Sequence, residues 1–198
     1  MIQDLLKYLC PLMLLFTLSN CSIRQSDCED TKFYFPFLTA SNPDIGLDTF
    51  VNTWYSSHLK SMGEPNLICE SDCEVIRILY LSPFATSEIY RINKCQEEVM
   101  GYYKGTNEER GLEAGELVHE FKKKLSEQDW VNISNQFTKL KSTRISNETS
   151  AGTDGSEWVI ERRVNSKYEY IDRWSLQIIN RDKELFEYCM EIIDLVKQ

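Results

Sequence analysis

The stretch Asp154 to Ser175, DGSEWVIERRVNSKYEYIDRWS, constrains the chain more than any other. Asp154-Gly155 is a turn signal, and a run of strand composition follows from Glu157 to Val164. Asn165-Ser166 is a second turn signal, before another strand-like run from Lys167 to Trp174. Two such runs around a two-residue polar turn predict a β-hairpin. That register sets Arg163 opposite Tyr168, Arg162 opposite Glu169, Ile160 opposite Ile171 and Trp158 opposite Arg173. Alternation then puts Trp158, Ile160 and Ile171 on one face and Val159, Tyr168, Tyr170 and Trp174 on the other. Both faces carry large apolar groups, so the hairpin belongs inside a covered sheet. Trp158 and Trp174 are expected to be structural, one on each face.

The other elements follow from periodicity and caps. Asp48 can cap a helix running to about Met62, with Phe50, Trp54, Tyr55, Leu59 and Met62 as its stripe and Gly63 as its stop. Glu74 to Tyr80, Glu88 to Lys94 and Val99 to Lys104 read as a three-strand antiparallel meander. Glu116 to Leu125 reads as a helix, because Leu117, Phe121 and Leu125 recur every four residues. Its acidic start and Lys122-Lys123-Lys124 end suit the helix dipole. Ser126 and Asp129 form a capping-box variant for a helix that buries Trp130, Ile133, Phe137 and Leu140. Lys141 to Ser156 is a polar loop. A last helix from about Arg181 to Val196 has Asn180 as its cap and Leu185, Cys189, Ile192 and Val196 as its stripe. The sum is an α+β fold, in which a three-strand meander and a C-terminal hairpin pack with about four helices.

The N-terminal residues differ from the rest. Leu9 to Leu18 is almost wholly apolar, too short to span a bilayer and right for the core of a signal peptide. Leu18-Ser19-Asn20-Cys21 follows and resembles a bacterial lipobox, in which the cysteine is lipidated and becomes the mature N-terminus. Cleavage of an ordinary signal and an uncleaved anchor are the alternatives. The division is a signal peptide over 1–20, a lipid-anchored tether and extended segment over 21–46, and a single domain over 47–198. Phe33, Tyr34, Phe35 and Phe37 are expected to dock the extended segment on the core. Seven cysteines suit an exported chain. Cys69 and Cys73 flank a polar turn and read as a short disulfide loop, leaving Cys28, Cys95 and Cys189 unassigned. No second Cys or His pair lies at ligand spacing, so no metal is assigned, and no cofactor either. The net charge of −9 argues against a nucleic-acid partner.

Several pieces together resemble a family of exported proteins and lipoproteins of the Bacteroidetes type. They are Trp54-Tyr55-Ser56 with His58-Leu59, Gly63-Glu64-Pro65, Asp154-Gly155-Ser156-Glu157-Trp158, and Asp172-Arg173-Trp174-Ser175, within residues 47–176. The DG-x-x-W and DRWS pair is the specific part. Asn165-Ser166 stands where such proteins more often show Asn-Gly. The resemblance implies an address and a fold and brings no activity with it.

Tyr170, Asp172, Arg173 and Trp174 form the candidate binding site. Asp172 shares a strand face with Tyr170 and Trp174, while Arg173 points the other way. An arginine beside aromatic rings can clamp a carboxylate. The plainer alternative pairs Arg173 with Glu157 or Glu169 and buries Trp174. His58 and His119 are the only histidines and either could be a general base, but neither has a nucleophile at motif spacing. The expected function is therefore a non-catalytic binding or structural domain, held to the membrane in the periplasm or on the cell surface, with a protein or small-molecule partner. The alternative is an envelope hydrolase using His58 or His119 with a carboxylate.

Overall fold

A computed structural model describes residues 32–37, 46–69, 72–82, 85–107, 113–142, 155–176 and 182–198. The readings of the signal peptide, Cys21, the start of the tether, most of the loop after residue 142 and the Asn180 cap lie outside them. The described elements are α1 (Thr49–Ser61), β1 (Glu74–Leu81), β2 (Glu88–Cys95), β3 (Glu98–Thr106), β4 (Leu117–Leu125), α2 (Glu127–Ser142), β5 (Glu157–Val164), β6 (Lys167–Trp174) and α3 (Lys183–Lys197).

The strands form one antiparallel sheet in the order β4-β3-β2-β1-β5-β6. The chain is thus an α+β protein in which the meander has four strands and the hairpin adds two more beside β1. The expected helix over residues 116–125 is β4 instead. A four-residue recurrence fits both periods, since every second residue of a strand shares a face. What decides is pairing: β3 needs a partner, and β4 sets Phe121 against Tyr103 and Leu125 against Val99. The lysines that suited a helix end serve an edge strand, where charge discourages pairing with other chains. Three described helices remain where about four were expected.

The hairpin forms in the expected register, with Arg163 opposite Tyr168 and Trp158 opposite Arg173. Asn165 and Ser166 both adopt positive φ, as a tight two-residue turn requires. One face of the sheet packs on α2 and α3, burying Ile76, Ile78, Ile92, Trp158, Ile160 and Ile171. The other packs on α1 and the extended segment, burying Leu79, Ile89, Val159 and Tyr170 against Tyr34, Phe35, Tyr55 and Leu59. Asp48 caps α1 by accepting from the Val51 N–H at 2.9 Å, and Gly63 ends it at φ +61°. The Ser126–Asp129 box closes α2: the Asp129 N–H donates to Ser126 Oγ at 3.1 Å and the Ser126 N–H to Asp129 Oδ2 at 2.9 Å.

The disulfide assignment changes. Cys73 bonds to Cys95, with Cα atoms 4.5 Å apart, and Cys69 is disulfide-bonded but not to Cys73. Glu74 and Lys94 are the first pair of the β1–β2 ladder, so the residues just beyond them face each other. Sheet register, which local spacing cannot reveal, selects the partner. Cys189 is a free, buried thiol on α3.

Candidate functional site

The resembling segments converge beneath α1. Val159 pairs with Asp172, so Glu157, two residues earlier on the same face, lies diagonal to Asp172 across the hairpin. The two carboxyl groups hydrogen-bond to each other. Tyr55 reaches down from α1, and its hydroxyl donates to Asp172 Oδ1 at 3.3 Å. Glu157, Asp172 and Tyr55 are only 7%, 6% and 2% exposed. Burial, and then the hydrogen bond to Asp172, push the Glu157 carboxyl up to about 10. Burial also raises Asp172, against hydrogen bonds from Glu157 and Tyr55 and the charge of Arg173. Burial therefore favours one proton shared by the pair at neutral pH. Tyr55 is raised by burial and then by the Asp172 charge, and stays a donor. Proton-sharing carboxyls can do acid–base chemistry when a substrate reaches them. Here their closure makes them a clasp between α1 and the hairpin.

This arrangement has a pH signature. The folded pair holds a proton that the unfolded carboxyls, at the usual 4.5 and 3.8, have released. The folded state thus binds more protons across that window, and this group's contribution falls as pH rises from about 5 to about 10. Glu157→Gln keeps a donor toward Asp172 and needs no proton. Its melting temperature should fall less than that of the wild type over this range, and equal slopes in the two melts would refute the shared proton.

A larger network lies one row along the same face. Glu64, in the turn after α1, directs its carboxylate at cations from three successive strands. Arg77 Nη1 and Arg91 Nε are each 3.3 Å from Oε2, and Lys104 Nζ is 3.2 Å from Oε1. Arg77 also binds Glu161 through Nε and Nη2 at 2.7 Å, and the Tyr168 hydroxyl donates to Glu161 Oε1 at 3.0 Å. Burial would pull Arg77 down, but Glu161 and Glu64 outweigh it and hold the guanidinium above its ordinary value. By sequence, Glu64 stands out only within the Gly63-Glu64-Pro65 piece and Arg77 only within a strand-like run. The available signal was an arginine in the middle of the apolar run Glu74–Leu81, a position that demands a buried partner.

Of the expected site residues, Tyr170 and Asp172 face α1. The Tyr170 hydroxyl accepts from the Gly46 N–H at 3.0 Å. Trp174 is half-buried on that face, its ring so close to Gly155 that a Cβ there would sit 2.5 Å from it. Gly155 of the DG-x-x-W piece is thus needed for close approach. Arg173 lies on the opposite face and pairs with Asp182, at the start of α3, at 3.5 Å. Neither Glu157 nor Glu169 is its partner, because Glu157 faces Asp172 and Glu169 binds Arg162 and Lys167. The four residues form no single surface. The histidines do not join them. His58 is buried with Nδ1 3.1 Å from Ser87 Oγ, just before β2, and β2 is three strand positions from Asp172 on β6, about 14 Å. His119 is exposed on β4, the opposite edge of the sheet.

Comparison with protein-family models, curated proteins and solved structures returns no match. Among the described residues, no group of His, Cys, Asp and Glu could hold a metal ion, and no helix is long and apolar enough to cross a membrane.

Proposed function

We propose that this is an exported domain of the Bacteroidetes-type family, anchored by lipid at Cys21 in the periplasm or on the cell surface. It acts by binding a protein or small molecule, or structurally, and not by catalysis. The observation that carries the non-catalytic reading is the closure of its buried carboxyl pair: Glu157, Asp172 and Tyr55 satisfy one another beneath α1, while His58 turns its Nδ1 to Ser87 Oγ. The address is supported by the apolar run ending at Asn20-Cys21 and by the Cys73–Cys95 bridge, which suits an oxidising compartment. A metabolic fatty-acid probe should label the wild type and not Cys21→Ala. Equal labelling of both would sink the anchor.

The hydrolase reading keeps one observation. His58 Nδ1 and Ser87 Oγ are at the distance of a base and its nucleophile. Both residues are buried, so that reading needs α1 to lift from the start of β2 before a substrate could enter.

A further inference from the structure

The corner where the tether enters the domain exposes aromatic rings. Phe50, in the first turn of α1, is 69% exposed, the most of any large apolar residue among the described ones, and Phe37 is 39% exposed. They belong to one corner. Phe37 bridges Leu47 in parallel, and the Leu47 N–H donates to the Pro36 carbonyl at 2.9 Å, three residues before Phe50. The Phe33 ring stands edge-on to Phe37 at 4.6 Å, and Lys32 Nζ lies 5.0 Å from the Phe33 ring centroid. The corner is held firmly from beneath. Asn52 Nδ2 donates to the Phe35 carbonyl at 2.8 Å, and the Tyr34 N–H donates to Ser56 Oγ at 2.9 Å. Asp48, the acidic neighbour of Phe50, is engaged as the helix cap.

The rest of the N-terminal chain enters at this corner. Lys32 is the first described residue, and the segment from Cys21 to it can extend at most about 40 Å. We propose that this corner, with Phe37 and Phe50 inserted and Lys32 at the headgroups, rests on the surface of a phospholipid bilayer. Exposed phenylalanine rings with a lysine at their rim suit the headgroup–acyl boundary, where apolar rings are buried and the ammonium stays in the polar layer. A tether this short keeps them at high effective concentration beside the bilayer. The inference rests on the lipid anchor at Cys21 and adds an orientation: α1 and the extended segment face the membrane, while α2 and α3 face away.

The test uses the full lipidated chain in vesicles of phosphatidylcholine and phosphatidylethanolamine, with plain or dibrominated acyl chains. Phe50→Trp puts a reporter on the corner, and Val131→Trp puts one on exposed α2 across the sheet. The fluorescence added by Phe50→Trp should fall about twofold in brominated vesicles, as for a ring buried roughly 5–10 Å into the boundary, and that added by Val131→Trp should not. Flotation separates the two ideas. Protein that floats with vesicles while neither reporter, or both equally, is quenched keeps the anchor and overturns the docking. Protein that does not float overturns both. A Phe50→Trp signal already blue-shifted in detergent, with a dimer seen by light scattering, would give the corner to a second copy and overturn the bilayer.

Discussion

Arg77→Met should destabilise the fold by about 3–5 kcal/mol, because it leaves carboxylates buried without their cation. Arg77 is fully buried and is the cation through which Glu64 and Glu161 are joined. Glu64 would retain Arg91 and Lys104. Of the contacts described above, Glu161 would keep the Tyr168 hydroxyl, and that cannot replace two guanidinium contacts on one oxygen. The same logic gives the second arm. Arg77→Met combined with Glu161→Met removes the stranded charge as well, and apolar side chains of similar volume can replace a buried ion pair at little cost. The double variant should therefore be more stable than Arg77→Met alone, a non-additivity that denaturant titration measures directly. A cost below about 1 kcal/mol for Arg77→Met would place the pair among weak surface bridges and refute the network.

The parts of this fold that could be read in advance are those fixed by neighbours in sequence. The hairpin register follows from Asn165-Ser166, the α1 boundaries from Asp48 and Gly63, and the α2 start from the Ser126–Asp129 box. Elsewhere a distant partner decides the structure. The residues of β4 carry a pattern that two periods share, and only β3 resolves it. Cys73 has a nearby cysteine in sequence and a nearer one across the ladder. Phe50 fits a helical stripe by spacing, yet it faces outward because the buried side of α1 is set by Asn52, Tyr55, Ser56 and His58 as much as by apolar residues. The site divided in the same way. Asp172 and Tyr170 were placed correctly on one strand face, but Glu157 and Tyr55, which complete the cluster, come from a neighbouring strand and from α1.

Trp158→Ala should cost about 3–5 kcal/mol, the range for truncating a buried tryptophan. The ring is 6% exposed, between Tyr80 at 4.6 Å and Phe186 at 6.0 Å, and so ties β1 to α3 through the hairpin. Its Nε1 donates to Ser156 Oγ at 3.1 Å, which fixes the chain where β5 begins. Ala would lose both the packing and that hydrogen bond. Phe would keep most of the packing and lose only the bond, so Trp158→Phe should cost clearly less. At roughly 2–4 °C per kcal/mol for a domain of this size, the Ala variant should melt at least about 6 °C lower. Trp174 is the comparison. It lies on the other face, half-buried against Gly155 and outside both core clusters, so Trp174→Ala should shift the melt less. The two rings, which looked equivalent by alternation, are separated by what covers them: a full helix layer over Trp158 and partial cover over Trp174. Thermal melts of the two Ala variants decide this. A shift under about 2 °C for Trp158→Ala would contradict its place in the core.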